Sequence, residues 1–205
     1  LFKAKSTYSA LATHVVISEI QVTGGTGATN DEFVELYNPT GSSVDLAGWR
    51  IAKKPADGSP QTNLITIDSG TIPANGYFLV VGNGYDGSVA ADKTYVATGS
   101  ALIAGDNTIL LYSGAGDETL KDKVGMGTAT DVETTATTEP GANASIERKA
   151  NSSSTSESMG PSGVDETKGN GEDTDVNSSD FVSRTTSDPQ NSSSTAEIPP
   201  SATPS

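Results

Sequence analysis

Asp31-Glu32-Phe33-Val34-Glu35-Leu36-Tyr37-Asn38-Pro39-Thr40, running on into Val44-Asp45-Leu46-Ala47-Gly48-Trp49, decides how this chain folds. Side chains on a strand change face at every residue. Val34 and Leu36 therefore point one way, and Phe33, Glu35 and Tyr37 the other. Asn38-Pro39-Thr40-Gly41 ends the run, because proline fixes φ and lacks the N–H a ladder needs. The second half opens another strand at Trp49, the only tryptophan, which the pattern casts as a core anchor.

Working outward, Val15 to Val22 reads as a first strand, closed by Gly24-Gly25-Thr26-Gly27. Trp49 to Ala52, Asn63 to Ile67 and Tyr77 to Gly82 follow, the last apolar enough to be fully buried. Thr94-Tyr95-Val96 suits an edge strand, and Thr108 to Tyr112 and Leu120 to Val124 complete the apolar part. Short strands punctuated by Gly, Pro and Asn turns indicate a β-sandwich or barrel. No helical periodicity and no internal repeat stands out.

The apolar fraction is only 33%, but it is concentrated between Val15 and Val124. One core therefore forms in the first two thirds. From Thr128 to Ser193 the chain is polar and rich in small residues, a composition that usually signals disorder. Two apolar islands, Ala144-Ser145-Ile146-Glu147-Arg148 and Asp180-Phe181-Val182-Ser183-Arg184, interrupt it. Phe181 is the only aromatic residue after Tyr112. Four stretches result: an arm over 1–13, a sandwich over 14–149, a polar extension over 150–193 and a Ser/Thr/Pro-rich tail over 194–205. The arm fits either strand or helical spacing, or a flexible leader.

The formal net charge is −14 and the isoelectric point about 4.2. Such a chain repels phosphate, so nucleic acid is not an expected partner. There is no cysteine, which excludes a disulfide framework and a thiolate-ligated metal. The apolar runs are a few residues long, so no membrane span is expected. Leu1 stands where an initiator methionine would be, as in a processed mature chain or a trimmed one.

Candidate chemistry is sparse. Glu19 and Glu35 could lie side by side on adjacent strands, with Asp31 and Glu32 nearby. Paired carboxylates can serve acid–base chemistry when one is buried. Nothing here marks a cleft, and His14 is the only histidine. The plainer reading has these carboxylates accept hydrogen bonds from loop N–H groups or sit in water, and no enzyme activity and no cofactor are expected. Asp173, Asp175, Asn177 and Asp180 place oxygen atoms as calcium loops do, although Ser178 and Arg184 replace the glycine and glutamate of an EF-hand. A turn stapled by Asx hydrogen bonds explains the same spacing. Asn143, Asn151, Asn177 and Asn191 begin Asn-x-Ser sequons and are glycosylation candidates.

The order Val16-Ile17-Ser18-Glu19-Ile20, then Glu32 to Asn38, then Val44 to Trp49, resembles the lamin-tail domain, an immunoglobulin-like antiparallel β-sandwich. Ile72-Pro73-Ala74-Asn75-Gly76-Tyr77 and the strand after it, Gly105 to Leu111, and Asp175 to Phe181 with Pro189-Gln190-Asn191-Ser192 fit secreted bacterial and archaeal members. The resemblance implies an all-β fold in which the two late islands return to the sandwich, and an extracellular or cell-surface location. Two functions are expected, the first from the arm and the second from the resemblance. One is a non-enzymatic structural subunit, of a filament or pilus, that self-associates through Leu1–Thr13. The other is a monomeric binding or adhesion module for surface glycans or proteins, accessory to a secreted enzyme. A calcium-stabilised adhesin is a third class.

Overall fold

A computed structural model describes residues 10–114 and 119–200. The strands are β1 (Val16–Gln21), β2 (Phe33–Tyr37), β3 (Val44–Asp45), β4 (Arg50–Lys54), β5 (Thr62–Thr66) and β6 (Thr71–Ile72). After them come β7 (Tyr77–Gly82), β8 (Lys93–Tyr95), β9 (Thr108–Ser113), β10 (Thr119–Gly125), β11 (Ser145–Arg148) and β12 (Phe181–Arg184). A single helical turn, α1 (Asn177–Asp180), leads into β12. One layer is a six-stranded sheet in the order β12-β11-β1-β2-β7-β8, the other a four-stranded sheet in the order β10-β9-β4-β5. A two-stranded ribbon, β3-β6, flanks them. The expected all-β sandwich is the fold. All strand pairs of the two sheets are antiparallel except β7 with β8, which runs parallel at the edge.

Alternation places Val34 and Leu36 between the layers with Ile17, Ile51, Ile109, Leu111 and Val124. In β1 the alternation is broken by a bulge between Ile17 and Glu19. One extra residue lets Ile17 and Ile20 both enter the core although three positions separate them. It also turns Val16 and Glu19 to the outer face. Burial of this core is the main driving force for the fold, at roughly 25 cal/mol per Å² of apolar surface.

Two sequence expectations change. Trp49 is only half-buried and packs against the rim of the core. It sits in the turn before β4, its N–H donating to the Leu46 carbonyl, so the centre is filled by Leu46 and Ile51 instead. The polar stretch after Thr128 is not a loose linker. Its small side chains cap its own turns: Ser154 and Ser158 both donate to Asp165, and Ser153 donates to Asn151. Phe181 is buried as the island pattern requires, and β12 pairs with β11 at the sheet edge.

The six-stranded sheet is covered on both faces. Its outer face is closed by residues 185–200, which cross it as a strap. Tyr37 Oη donates to the Glu197 carbonyl and Tyr77 Oη to the Glu197 carboxylate. Glu197 N–H in turn donates to the Asn75 carbonyl. The arm enters at Ala10: Ala12 N–H donates to the Gly171 carbonyl and Asp173 N–H to that of Ala10. Residues 1–9, which hold most of the expected arm, and 201–205 lie outside the described residues.

Candidate functional site

Register on the outer face aligns three glutamates. Glu19 on β1 faces Glu35 on β2 on one side and Glu147 on β11 on the other. All three are buried. Burial is the largest cause of their raised pKa values; repulsion within the row adds to it for Glu19 and Glu35, and repulsion from Asp188 and Glu197 for Glu147. Glu19 is pushed up to about 8, Glu147 to about 7, and Glu35 well above the ordinary carboxyl range. Their oxygens meet polar groups rather than a cavity. Glu35 accepts from Ser18 Oγ and from the Gln190 N–H at 2.5 Å. Glu19 accepts from Ser145 Oγ at 2.5 Å and from the Asp188 N–H at 3.2 Å. Glu147 pairs with Arg184 at 2.9 Å and accepts from Asn170.

The pairing of Glu19 with Glu35 follows the sequence reading, as do their loop N–H donors. Glu147 was missed, though its place beside core-facing Ile146 signals the outer face. The strap covers the row through the Asp188 and Gln190 N–H groups. Glu32, also buried, is occupied by Tyr95 Oη and the Ile103 N–H. His14 lies just ahead of β1, and its Nε2 is 2.6 Å from the carbonyl of Lys121 on β10.

A second buried charge site joins the layers. Arg148 is fully buried; its Nε donates to the Ile17 carbonyl, Nη1 to that of Glu172, and Nη2 to Asp122 at 2.6 Å. Asp122 also accepts the Ile17 N–H, and the guanidinium lies 4.7 Å from the Phe181 ring centre. β11, β1, β10 and β12 are thus tied through one side chain.

The four calcium candidates do not share a centre. Both Asp180 carboxylate oxygens serve the Thr174–Val176 turn, and Asp173 lies 3.5 Å from Arg148. The Asn177 amide donates to the Lys123 carbonyl and Glu133, and accepts the N–H groups of Gly125 and Glu133. The stapled turn is what the structure displays. The same bonds correct one glycosylation candidate: Asn177 is fully buried, and a folded chain has no room for a sugar there. Asn143 is exposed, whereas Asn151 and Asn191 are half-buried in turns of their own making.

A cavity of about 290 Å³ opens at one end of the six-stranded sheet, where four loops meet. Asp31, Tyr85, Asp86, Asn143, Ser187 and Asp188 are among its walls. Asp31 is only 5% exposed, wedged against Gly24, where a Cβ would strike its carboxylate. The Tyr85 ring is held edge-on by Phe33 at 6.0 Å. Its hydroxyl occupies the place a Cβ on Gly87 would take.

A family model described as Lamin Tail Domain matches residues 9–180. The chain belongs to that family. The lamin tail match takes in the four-stranded sheet and all of the six-stranded sheet but β12, and ends at α1, ahead of the strap. No curated protein matches the chain in sequence. Among solved structures, a DUF4876 family protein from Bacteroides thetaiotaomicron is similar at a TM-score of 0.57 and 14% identity. The alignment covers 93% of this chain and 75% of that one. At that identity the likeness shows the shared fold.

Proposed function

We propose that this lamin tail module is a non-enzymatic structural protein of the cell exterior, a subunit that joins copies of itself into a surface filament through Leu1–Thr13. The observation that carries the reading is how the chain enters the body. Ala10–Ala12 is pinned in extended form to Gly171–Asp173, which brings the arm to the surface of the body at a fixed point. The reading gives residues 1–9 to a neighbouring copy. β5 offers such a neighbour an edge, since β4 is its sole ladder partner among the described residues. An extended segment can add to an open edge by main-chain pairing. Head-to-tail contacts of that kind build open fibres when the rotation does not close.

The test is deletion of 1–9. Thermal unfolding should stay within a degree or two of the full chain, while fibres seen by negative stain and fast-sedimenting material disappear. Fibres that persist in the truncated protein, or a full chain that stays monomeric at millimolar concentration, overturn the reading. The loop-end cavity favours a second reading, a binding module for surface glycans or proteins.

A further inference from the structure

Lys53 is a cation turned inward. It stands opposite core-facing Ile109 in the β4–β9 ladder, so its side chain leaves the inner face of the sheet, and it is buried. Asn107 lies two residues ahead of Ile109, on the same face, and is buried too. The two side chains meet. Lys53 Nζ donates to Asn107 Oδ1 at 2.8 Å and also to the Leu102 carbonyl. The amide carbon is one bond of about 1.2 Å beyond that oxygen, so no more than about 4 Å separates it from Nζ.

The surroundings of the pair suit a reaction between its members. Asn107 Oδ1 also accepts the Ala104 N–H at 3.0 Å, a fixed donor for negative charge developing on that oxygen. Asn107 Nδ2 donates to Asp106 Oδ1 at 3.2 Å, which sets a half-buried carboxylate against the amide nitrogen. Burial pulls Lys53 below its ordinary pKa, against the attraction of Glu32 and Asp106, and so enlarges the share of free amine. Glu32 accepts the Ile103 N–H, on the far side of the same peptide unit whose Leu102 carbonyl takes Lys53. Burial lifts Glu32 to about 7, which weakens its hold on the ammonium near neutrality.

We propose that the folded chain joins Lys53 to Asn107 through a side-chain amide, with loss of ammonia and with Asp106 as the proton carrier. Asp106 takes a proton from the Lys53 ammonium. The freed lone pair forms a bond to Asn107 Cγ, and the carbonyl electrons move to Oδ1, where the Ala104 N–H holds them. Asp106 delivers its proton to Nδ2, the electrons on Oδ1 fall back, and the Cγ–Nδ2 bond breaks. Ammonia leaves with the remaining surplus proton of Nζ, as ammonium, and Asp106 ends as the carboxylate it began. No oxidant, reductant or co-reactant enters. A nucleophile and a carbonyl held this close react as though at an effective concentration of roughly 10⁵ M or more. The link closes a loop between residues 53 and 107 and fastens β4 to the segment that opens β9. In a chain without cysteine it takes the place of a disulfide. It does not rest on filament formation, since a monomer carries it as well as a fibre.

Intact-mass measurement on the full chain, denatured after purification, tests it. The wild type should weigh one ammonia less than its sequence. A digest should contain a branched peptide joining the chain around Lys53 to that around Asn107. Lys53→Arg and Asn107→Ala should both show the full sequence mass; if either fails to fold, the wild-type peptide decides by itself. Asp106→Asn keeps an acceptor beside Nδ2 but no carboxylate to carry the proton, so the fresh variant should be mostly unlinked. A wild type at full mass overturns the proposal. So does an ammonia loss that persists in Lys53→Arg, or one that maps to Asn75-Gly76 or Asn83-Gly84, where closure of the asparagine on the next peptide nitrogen sheds the same mass. Complete linkage in fresh Asp106→Asn protein overturns the proton route.

Discussion

Arg148 and the glutamate row are both buried charge, yet they are built on opposite terms. Arg148 lies between the sheets with its donors spread over Ile17, Glu172 and Asp122, so opposite charge and main-chain carbonyls compensate its burial. Glu19, Glu35 and Glu147 lie outside the sheet as like charges, compensated chiefly by hydrogen bonds and by one cation, Arg184. Low dielectric strengthens attraction and repulsion alike. The difference teaches which pieces of the fold tolerate a change of solvent. The first site needs every partner in place. The second needs protons.

The comparison breaks most visibly at Arg148. Arg148→Ala strands Asp122 without its counter-ion and frees three carbonyl or carboxylate partners. Loss of one member of a buried pair costs about 3–5 kcal/mol. Chemical denaturation should show a loss of that size, or no folded protein at all; a loss under about 1 kcal/mol would mean the node is not a tie between the layers.

The glutamate row should instead answer to pH. Its folded pKa values are raised above 4.5, to about 8 for Glu19 and about 7 for Glu147. An unfolded chain sheds these protons near 4.5, so between there and about 8 the folded chain holds protons that the unfolded chain has lost. Stability is then fully present at the acid end and falls as pH rises through this window. Arg184 opposes the trend by favouring ionised Glu147, while Asp188 reinforces it by repelling the row. Scanning calorimetry should give a melting temperature lower at pH 8.5 than at 5.5 by several degrees. The double variant Glu19→Gln, Glu35→Gln should flatten that slope. An unchanged slope in the variant would locate the pH response elsewhere in this acidic chain.

The smallest effect concerns the strap. Tyr77→Phe removes the 2.7 Å bond to Glu197, worth about 1 kcal/mol. The global midpoint should fall by no more than about 2–4 °C, since the ring stays packed on Tyr37. Amide exchange at Asp188 and Gln190, which donate to the glutamate row, should quicken first. Equal quickening in β9 would show that strap and body open as one unit.

Much of the sandwich was legible because it rests on period-two alternation. Tyr77–Gly82 falls on the expected residues, and β1, β2, β9 and β10 lie within two positions of expectation at either end. Double-sided burial was not legible. Glu19 and Glu35 look like solvent-facing positions until a segment 169 and 155 residues later, respectively, covers them. Trp49 misled because ring size signals burial, whereas position at the start of β4 decided it. The order of the polar stretch was hidden because Ser154, Ser158 and Asp165 stabilise turns by side-chain bonds that carry no hydrophobic signature. Asp31 was visible as one acid among several, but its place beside Tyr85 and Asp86 depends on loops that only folding brings together.

The β12-β11-β1 order has a consequence in time. β1 is made early but finds β11 more than a hundred residues later, and Arg148 reaches Ile17 across 131 positions. Pairings this distant in sequence fold slowly, because a long loop must close before any contact rewards it. Until the chain has been synthesised past Arg148, β1 lacks one of its two neighbours and the guanidinium that stitches the layers together. Translation must therefore pass Arg148 before the two layers can be locked together, and until then β1 is held from one side only.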